Sequence, residues 1–172
     1  MAIARTYEER RVGRSVSGGL LAGIVGGAVI AGLLLFLAYL KHEDLWRVLK
    51  GAGAPFLGSR ATRPGFDAEA VLVGVLAHFG VSIIWGILFG VIFYGLSKGA
   101  TLVAGLFWGI VVWLGMYYVV LPLLGLGQIT RHAPIANAIF THVVFGLAVA
   151  AGFLPFQVPR RPYLPTASTF VP

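Results

Sequence analysis

The sequence predicts an all-α polytopic membrane protein with four transmembrane helices, and three observations support this fold class. Hydrophobic residues make up 58% of the 172 residues and charged residues only 11%, far below the roughly 25% charged residues of soluble domains. Between Val71 and Ile129 the only charged side chain is Lys98. Four apolar runs are each long enough to cross a hydrocarbon core about 30 Å thick at about 1.5 Å per residue. We place these spans at about residues 18–40, 71–96, 101–124 and 134–156.

The first span follows a basic flank, residues 1–17, and carries small residues at a spacing of four. This spacing puts them on one helix face, where a second backbone can approach closely. Glycine pairs at the same spacing occur in the second and third spans. We interpret these positions as helix-packing residues rather than as a ligand groove. They are Gly19, Gly23, Gly27, Ala31, Gly86, Gly90, Gly105 and Gly109.

The connection from Lys41 to Glu69 is the only long one between spans. Its residues Leu45, Val48 and Leu49 fall at positions i, i+3 and i+4, which predicts a short interfacial amphipathic helix. Aromatic side chains near span ends are typical anchors at the headgroup level. The predicted interfacial anchors are Trp46, Tyr94 and Tyr118.

Proline and glycine predict how the other segments end. The short turn Ser97–Gly99 joins the second and third spans, which predicts that they are antiparallel neighbours. Pro122 predicts a kink or an end of the regular helix in the third span, because proline has no N–H to donate. The segment 157–172 contains four prolines and is predicted to be an extended tail.

Lysine and arginine residues are divided almost evenly between the two sides of the predicted membrane domain. The side with more of them is usually cytoplasmic. The side of the termini has seven, namely Arg5, Arg10, Arg11, Arg14, Lys98, Arg160 and Arg161. The opposite side has six, namely Lys41, Arg47, Lys50, Arg60, Arg63 and Arg131. The N-terminal cluster therefore favours a cytoplasmic location for both termini.

Two histidines fall inside spans, His78 in the second and His142 in the fourth. Both helices enter from the same side, so both imidazoles are predicted roughly 10–12 Å below one surface. An ionisable residue inside a span is a functional hypothesis by default. The pair could ligate the iron of a b-type haem from opposite faces, or one could hydrogen-bond a quinone. Alternatively, each could hydrogen-bond across helices to a Ser, a Thr or a backbone carbonyl and serve packing alone, with candidates Ser82, Asn137 and Thr141.

Other chemistry has little support in the sequence. No Asp, Glu, Lys or Arg lies within a predicted span, and the absence of cysteine excludes thiolate ligands and cysteine nucleophiles. Ser82 lies one turn from His78, but no carboxylate accompanies them, so we predict neither a catalytic site nor a metal site, and hence no enzyme. Small-molecule transport by an oligomer would need a polar cavity at the level of Ser82, Asn137 and Thr141.

Three features of the layout carry a resemblance to a known group. They are the glycine-rich first span, the long first loop with Pro55 and Gly58, and the His-Gly patterns at His78–Gly80 and His142–Gly146. Over about residues 18–155 the chain thereby resembles uncharacterised four-span bacterial inner-membrane proteins of the YagU type. The resemblance implies a multi-pass protein of the bacterial inner membrane and implies no chemistry.

The function that we predict from the sequence is that of a non-catalytic accessory or structural subunit. Its partners would be the lipid bilayer and the other subunits of a larger membrane assembly, an energy-converting (respiratory or photosynthetic) complex. The net charge of +7 lies in flanks and loops, where it can contact anionic headgroups, so we predict no nucleic-acid partner. Two alternatives stay open: a haem- or quinone-binding protein using His78 and His142, and an oligomeric small-molecule transporter.

Overall fold

A computed structural model describes residues 2–128 and 134–158, with side chains from residue 9 onward. The described chain is helical without strands, and four helices are long and apolar enough to cross a membrane. The predicted all-α fold with four spans is therefore confirmed. The helices are α1 (Ala2–Leu40), α2 (Leu45–Gly51), α3 (Ala54–Leu57), α4 (Ala68–Phe93), α5 (Lys98–Gly115), α6 (Leu121–Leu123) and α7 (Ile135–Phe153). Short 3-10 turns cover Gly58–Thr62 and Leu154–Phe156, and a π-helical turn covers Met116–Val120.

The backbone of the predicted N-terminal flank continues directly into the first span, so α1 is one helix of 39 residues. At about 1.5 Å per residue it is longer than a hydrocarbon core of about 30 Å requires. The apolar part of α1 begins after Arg14, and no charged residue follows within the helix. Most of the predicted tail, residues 159–172, lies outside the described residues.

Glycines bring α1 and α4 together at backbone distance. A Cβ atom added to Gly23 would lie 2.7 Å from the Cα of Ile83, and one added to Gly86 would lie 2.5 Å from the Cα of Gly23. Such separations leave no room for a side chain at either position. The small-residue face of α1 therefore packs against a helix of the same chain.

The same arrangement joins α5 to α7. A Cβ on Gly109 would lie 2.6 Å from the Cα of Val143, and one on Gly146 would lie 2.8 Å from the Cα of Gly109. A third contact joins α1 to α7, where a Cβ on Gly26 would lie 2.6 Å from the Cγ2 of Val149. The order of close contacts around the bundle is therefore α4, α1, α7, α5.

The side of the bundle between α4 and α5 is different. These helices are antiparallel and consecutive, as the short turn predicted, but they meet mainly through aromatic side chains. The rings of Trp85 and Trp108 are 5.7 Å apart, and the Trp85 ring also lies against Gly115. The turn itself occupies residues 94–97, and α5 begins at Lys98, with the side chain of Ser97 capping its first turn.

The end of the third span departs from α-helical geometry, as Pro122 predicted. Pro122 has no N–H, and its ring would collide with the carbonyl four residues earlier in an α-helix. The chain widens just before it into the π-helical turn, in which the N–H of Leu121 bonds to the carbonyl of Met116. A π-helical turn of this kind often marks a functional site.

Residues 41–67 form a compact cover over one end of the bundle, which we call the loop cap. Its helix α2 confirms the predicted helix in the first loop and lies against α4, where Gly74 leaves room for the backbone of Lys50. The Lys50 side chain is 1% exposed, and its Nζ donates to the carbonyls of Arg63 (2.6 Å) and Gly65 (2.9 Å). Lys50 therefore ties the end of α2 to the end of the loop.

Two carboxylates hold the start and the end of the loop cap. Asp44 accepts hydrogen bonds from the backbone N–H groups of Gly65 (2.6 Å) and Trp46 (2.9 Å), and the first of these lowers its pKa most. Asp67 accepts from the N–H of Ala70 (3.1 Å) and pairs with Arg60 (2.9 Å), and these contacts lower the pKa of Asp67. Both carboxylates are therefore held in their charged form.

The predicted interfacial anchors lie at both ends of the bundle. Trp46 is 40% exposed on the loop cap, with its ring edge-to-face to Phe66 at 4.7 Å. Tyr118 is 64% exposed near the same end. Tyr94 lies at the opposite end, where the guanidinium carbon of Arg11 is 5.9 Å from its ring centre.

Candidate binding cavity

The half of the bundle nearer the termini, the termini-side half, is filled with aromatic rings. Phe89 and Phe153 are fully buried with their ring centres 5.8 Å apart. Trp108 lies edge-on to Phe89 at 6.0 Å and to Phe93 at 5.7 Å. Rings of this size leave little empty space between α4, α5 and α7.

The other half, the loop-side half, contains a cavity of about 400 Å³ that we call the inner cavity. It lies between all four spans and under the loop cap. Most of its wall is aliphatic or aromatic. Its polar lining side chains are His78, Ser82, Trp85, Thr141 and His142. The structure thus places both intramembrane histidines on the wall of one cavity.

A second cavity of about 580 Å³, the outer cavity, adjoins the inner one toward the loop-side surface. The two share lining residues, among them Leu34, His78 and Thr141. Of the two cavities, only the outer one is lined by charged side chains of the described chain, namely Lys41, Glu43 and Arg47. A molecule entering from the headgroup region would therefore pass charged groups before reaching the histidines.

His78 bonds across helices to the backbone of α1. Its Nε2 lies 2.9 Å from the carbonyl oxygen of Gly27. Because a carbonyl oxygen only accepts, Nε2 is the donor of this bond, and in the neutral form of the imidazole Nδ1 keeps a lone pair. Gly27 makes the approach possible, because a Cβ there would lie 3.0 Å from the hydroxyl oxygen of Ser82.

His142 bonds within its own helix. Its Nδ1 lies 2.7 Å from the carbonyl oxygen of Ala138, so Nδ1 is the protonated nitrogen and Nε2 keeps a lone pair. Its ring is edge-to-face with Tyr117 at 5.8 Å. Both histidine partners are backbone carbonyls, one of the kinds of partner expected from the sequence, and neither is one of the candidate side chains of Ser82, Asn137 and Thr141.

The other polar lining groups also bond to nearby protein groups. The Ser82 hydroxyl donates to the carbonyl of His78 at 2.8 Å. The Thr141 hydroxyl lies 3.0 Å from the carbonyl of Asn137 and 3.0 Å from that of Ala138. The indole N–H of Trp85 points to the sulfur of Met116 at 3.4 Å. The five polar side chains are therefore held in place by the helices that carry them or by their neighbours.

Within the described residues, no group of three His, Asp or Glu side chains could hold a metal ion. Among the described residues, the inner cavity is lined by two imidazoles and by no carboxylate. Its wall is therefore suited to hydrogen bonding and apolar contact.

Comparison with known sequences gives one family. The profile of DUF6789, a family of unknown function, matches residues 13–161. The chain belongs to the DUF6789 family. The match includes all four spans, the loop cap and both histidines. No curated protein and no solved structure matches this DUF6789 chain.

The structure of the DUF6789 chain places the eight predicted packing residues in different surroundings. Seven are glycines, and at each of them an added Cβ would lie 3.0 Å or less from an atom of a neighbouring helix. Ala31 is half-buried. The glycines are thus used within the bundle, namely Gly19, Gly23, Gly27, Gly86, Gly90, Gly105 and Gly109.

Sequence reasoning missed several residues that shape the site. Gly146 is the counterpart of Gly105 and Gly109, and its place after His142 was noted only as part of a His-Gly pattern. Lys50 was counted as a surface charge but is buried. Met116 had no recognisable signal, because its role depends on Trp85, which is 31 residues away in the chain.

Proposed function

We propose that the protein binds a small membrane-soluble molecule with a polar ring, of the quinone class, in the inner cavity. One observation carries the proposal: both intramembrane histidines line a single cavity, and each is oriented by a hydrogen bond to a backbone carbonyl. The bonds orient the two imidazoles and set which nitrogen keeps a lone pair. Histidines that ligate metals are oriented in the same way, by a hydrogen bond from the second ring nitrogen to a carbonyl or a carboxylate.

The size and composition of the cavity support the same function. Ligand sites commonly occupy about 300–1,000 Å³ with mostly apolar walls and a few placed polar groups. The inner cavity has about 400 Å³ and five polar lining side chains among aliphatic and aromatic ones. A ring with one or two polar substituents matches this wall, and an apolar tail could extend toward the lipid.

Binding of a b-type haem by His78 and His142, which the sequence also suggested, has less support. Nε2 of His78 is bonded to the carbonyl of Gly27, so ligation of iron through that atom requires loss of the bond. An absorption spectrum of the purified protein tests this form directly. No Soret band, or a band unchanged in the His78→Ala/His142→Ala double variant, would end it.

Direct binding tests the proposed function. The probes are a short-chain benzoquinone and its hydroquinone, added to the protein in lipid nanodiscs. We expect saturable binding of at least one, weakened at least about tenfold by Ala77→Leu, which fills part of the cavity wall. The control Ala28→Leu makes the same change on the exposed face of α1 and should bind normally. Absence of saturable binding, or equal binding in the two variants, would contradict the proposal.

An accessory role in an energy-converting complex is a second proposal. The glycines that first motivated it are used inside the bundle, but Ala28 and Gly32 are exposed one turn apart on α1, and nothing lies within 4 Å of a Cβ at Gly32. Small residues one turn apart on an exposed face favour contact with a further helix. Purification from native membrane in mild detergent should recover partners that Gly32→Leu releases, and a lone monomer would count against this role.

Transport by an oligomer has the least support of the three functions. The aromatic rings of the termini-side half, such as Phe89 and Trp108, separate the cavities from the opposite surface. Transport would require these rings to open a path.

We propose a bacterial inner-membrane location with both termini in the cytoplasm, on the strength of the YagU-type resemblance and the N-terminal arginine cluster. In this orientation the loop cap lies on the outer side. The chain has no native cysteine, so Thr62→Cys should react with an impermeant maleimide in intact cells, whereas Lys98→Cys should not. The reverse pattern would invert the topology.

A further inference from the structure

We infer that the inner cavity selects a neutral ligand that donates hydrogen bonds, a ring diol of the hydroquinone type, over its oxidised carbonyl form. This inference rests on the proposed function and specifies its ligand. The hydrogen atoms and lone pairs that the cavity wall can still offer to an incoming molecule decide this preference.

The donors of the two imidazoles are already used. The N–H of His78 donates to the carbonyl of Gly27, and the N–H of His142 donates to the carbonyl of Ala138. Neither carbonyl can exchange roles, because it has no hydrogen to give. In its neutral form, each imidazole therefore presents to the cavity a lone pair and no further N–H.

The donors of the other polar side chains of the wall are also occupied. The hydroxyls of Ser82 and Thr141 donate to backbone carbonyls of their own helices, and the N–H of Trp85 points to the sulfur of Met116. Hydroxyl oxygens that donate in this way still keep lone pairs to accept a bond. The five polar side chains of the inner cavity thus have their donors occupied, and four of them, namely His78, Ser82, Thr141 and His142, keep a lone pair that can accept.

A wall of acceptors discriminates between the two oxidation states of a quinone. The carbonyl oxygens of the oxidised form only accept, so in this cavity they would lose their bonds to water and face lone pairs. Burial of an unpaired polar group in an apolar site is costly. The hydroxyls of the reduced form can donate to His78 and His142, or to the hydroxyl oxygens of Ser82 and Thr141, and keep the ring in apolar contact.

A neutral donor fits better than a cationic one. Among the described residues no carboxylate lines the inner cavity, and Glu43 lies only in the outer cavity, where Lys41 and Arg47 accompany it. A buried ammonium group without a counter-charge pays a large desolvation penalty. The wall therefore suits a hydroxyl rather than an amine.

Three probes of nearly the same shape separate these ideas in nanodiscs under anaerobic conditions: a short-chain benzohydroquinone, its quinone, and its dimethyl ether. The ether keeps the ring but has no hydrogen to donate. We expect the hydroquinone to bind at least about tenfold more tightly than either of the others, as one or two well-placed hydrogen bonds would give. The wild-type series decides the question without any variant.

A variant then tests whether the inner cavity causes the preference for the hydroquinone. His142→Phe removes one acceptor while keeping a flat ring, and the ratio of dissociation constants between hydroquinone and ether should fall severalfold. The control Tyr39→Phe removes a hydroxyl from an exposed position on α1 and should leave the ratio unchanged. Saturable but equal binding of the three probes, or tighter binding of the quinone, would overturn this inference and leave the proposed function standing. No saturable binding of any probe would overturn the proposed function itself.

Discussion

The termini-side half and the loop-side half are built on the same glycine-mediated helix contacts but differ in what fills the space between them. In the termini-side half, Gly18 and Gly90 allow the rings of Phe156 and Phe153 to approach the helix backbones, at 2.6 Å and 3.0 Å from an added Cβ. In the loop-side half, Gly27 faces the hydroxyl oxygen of Ser82 at 3.0 Å and the edge of the Phe79 ring at 3.1 Å from an added Cβ. The comparison teaches that glycine lets the helices approach in both halves, whereas the side chains that project between the helices decide whether the remaining space is filled.

The two ends are also closed by different means. At the termini side, Gln157 joins three segments: it accepts from the N–H of Gly95 (2.7 Å) and donates to the carbonyl of Phe93 (2.9 Å) and the hydroxyl of Thr101 (2.9 Å). At the loop side, the loop cap is held by carboxylates, a buried lysine and backbone groups. The first closure is neutral, whereas the second depends on charge.

The largest expected effect is a difference in packing between the termini-side half and the loop-side half. Phe89→Ala removes a fully buried ring that touches three other rings, and we expect a loss of about 3–5 kcal/mol in the free energy of unfolding. Phe145→Ala should lose clearly less, because Phe145 already borders the inner cavity. Unfolding in mixed detergent micelles measures both. Equal losses would mean that the loop-side half is as densely packed as the other.

The next effect tests the glycine contacts that both halves share. Gly86→Ala places a methyl group against the backbone of Gly23, and we expect a loss of about 1–3 kcal/mol in stability. Gly80→Ala lies on the same helix with nothing within 4 Å, so its stability should be unchanged or slightly higher, because alanine favours the helix. The same unfolding assay applies, and a similar loss in both variants would refute a role for close backbone contact.

An effect of comparable size is expected at the neutral closure of the termini side. Gln157→Leu removes three hydrogen bonds from one side chain, which should lower stability by about 1–3 kcal/mol. Asn137→Leu is the control, since Asn137 is exposed at the outer cavity, and it should change stability by no more than about 0.5 kcal/mol. If both variants are equally stable, Gln157 does not hold this end together.

The smallest effect is a pH dependence confined to the loop cap. The pKa values of Asp44 and Asp67 are lowered from the ordinary 3.8 by backbone and arginine contacts. A lowered folded-state pKa contributes stability that is present above the unfolded value and lost as the pH falls through the folded one. The hydrogen-exchange protection factors of residues 41–67, which are corrected for the intrinsic pH dependence of exchange, should therefore fall only below about pH 3.8, while those of residues 94–97 stay constant. Loosening of the loop cap already near pH 6 would contradict this.

The sequence by itself determined the number of spans, the helix in the first loop and the irregular end before Pro122. These features depend on length, hydropathy and local backbone chemistry, all of which are properties of consecutive residues. The positions of glycines that could face another helix were also visible in the spacing.

Only the tertiary structure decided which helices pair and what lies between them. Lipid tails are about as apolar as a helix interface, so hydropathy does not orient a transmembrane helix about its own axis. For that reason the sequence could not show that His78 reaches the carbonyl of Gly27, 51 residues away, or that it shares a cavity with His142. The burial of Lys50 depended in the same way on how the loop folds back over the bundle.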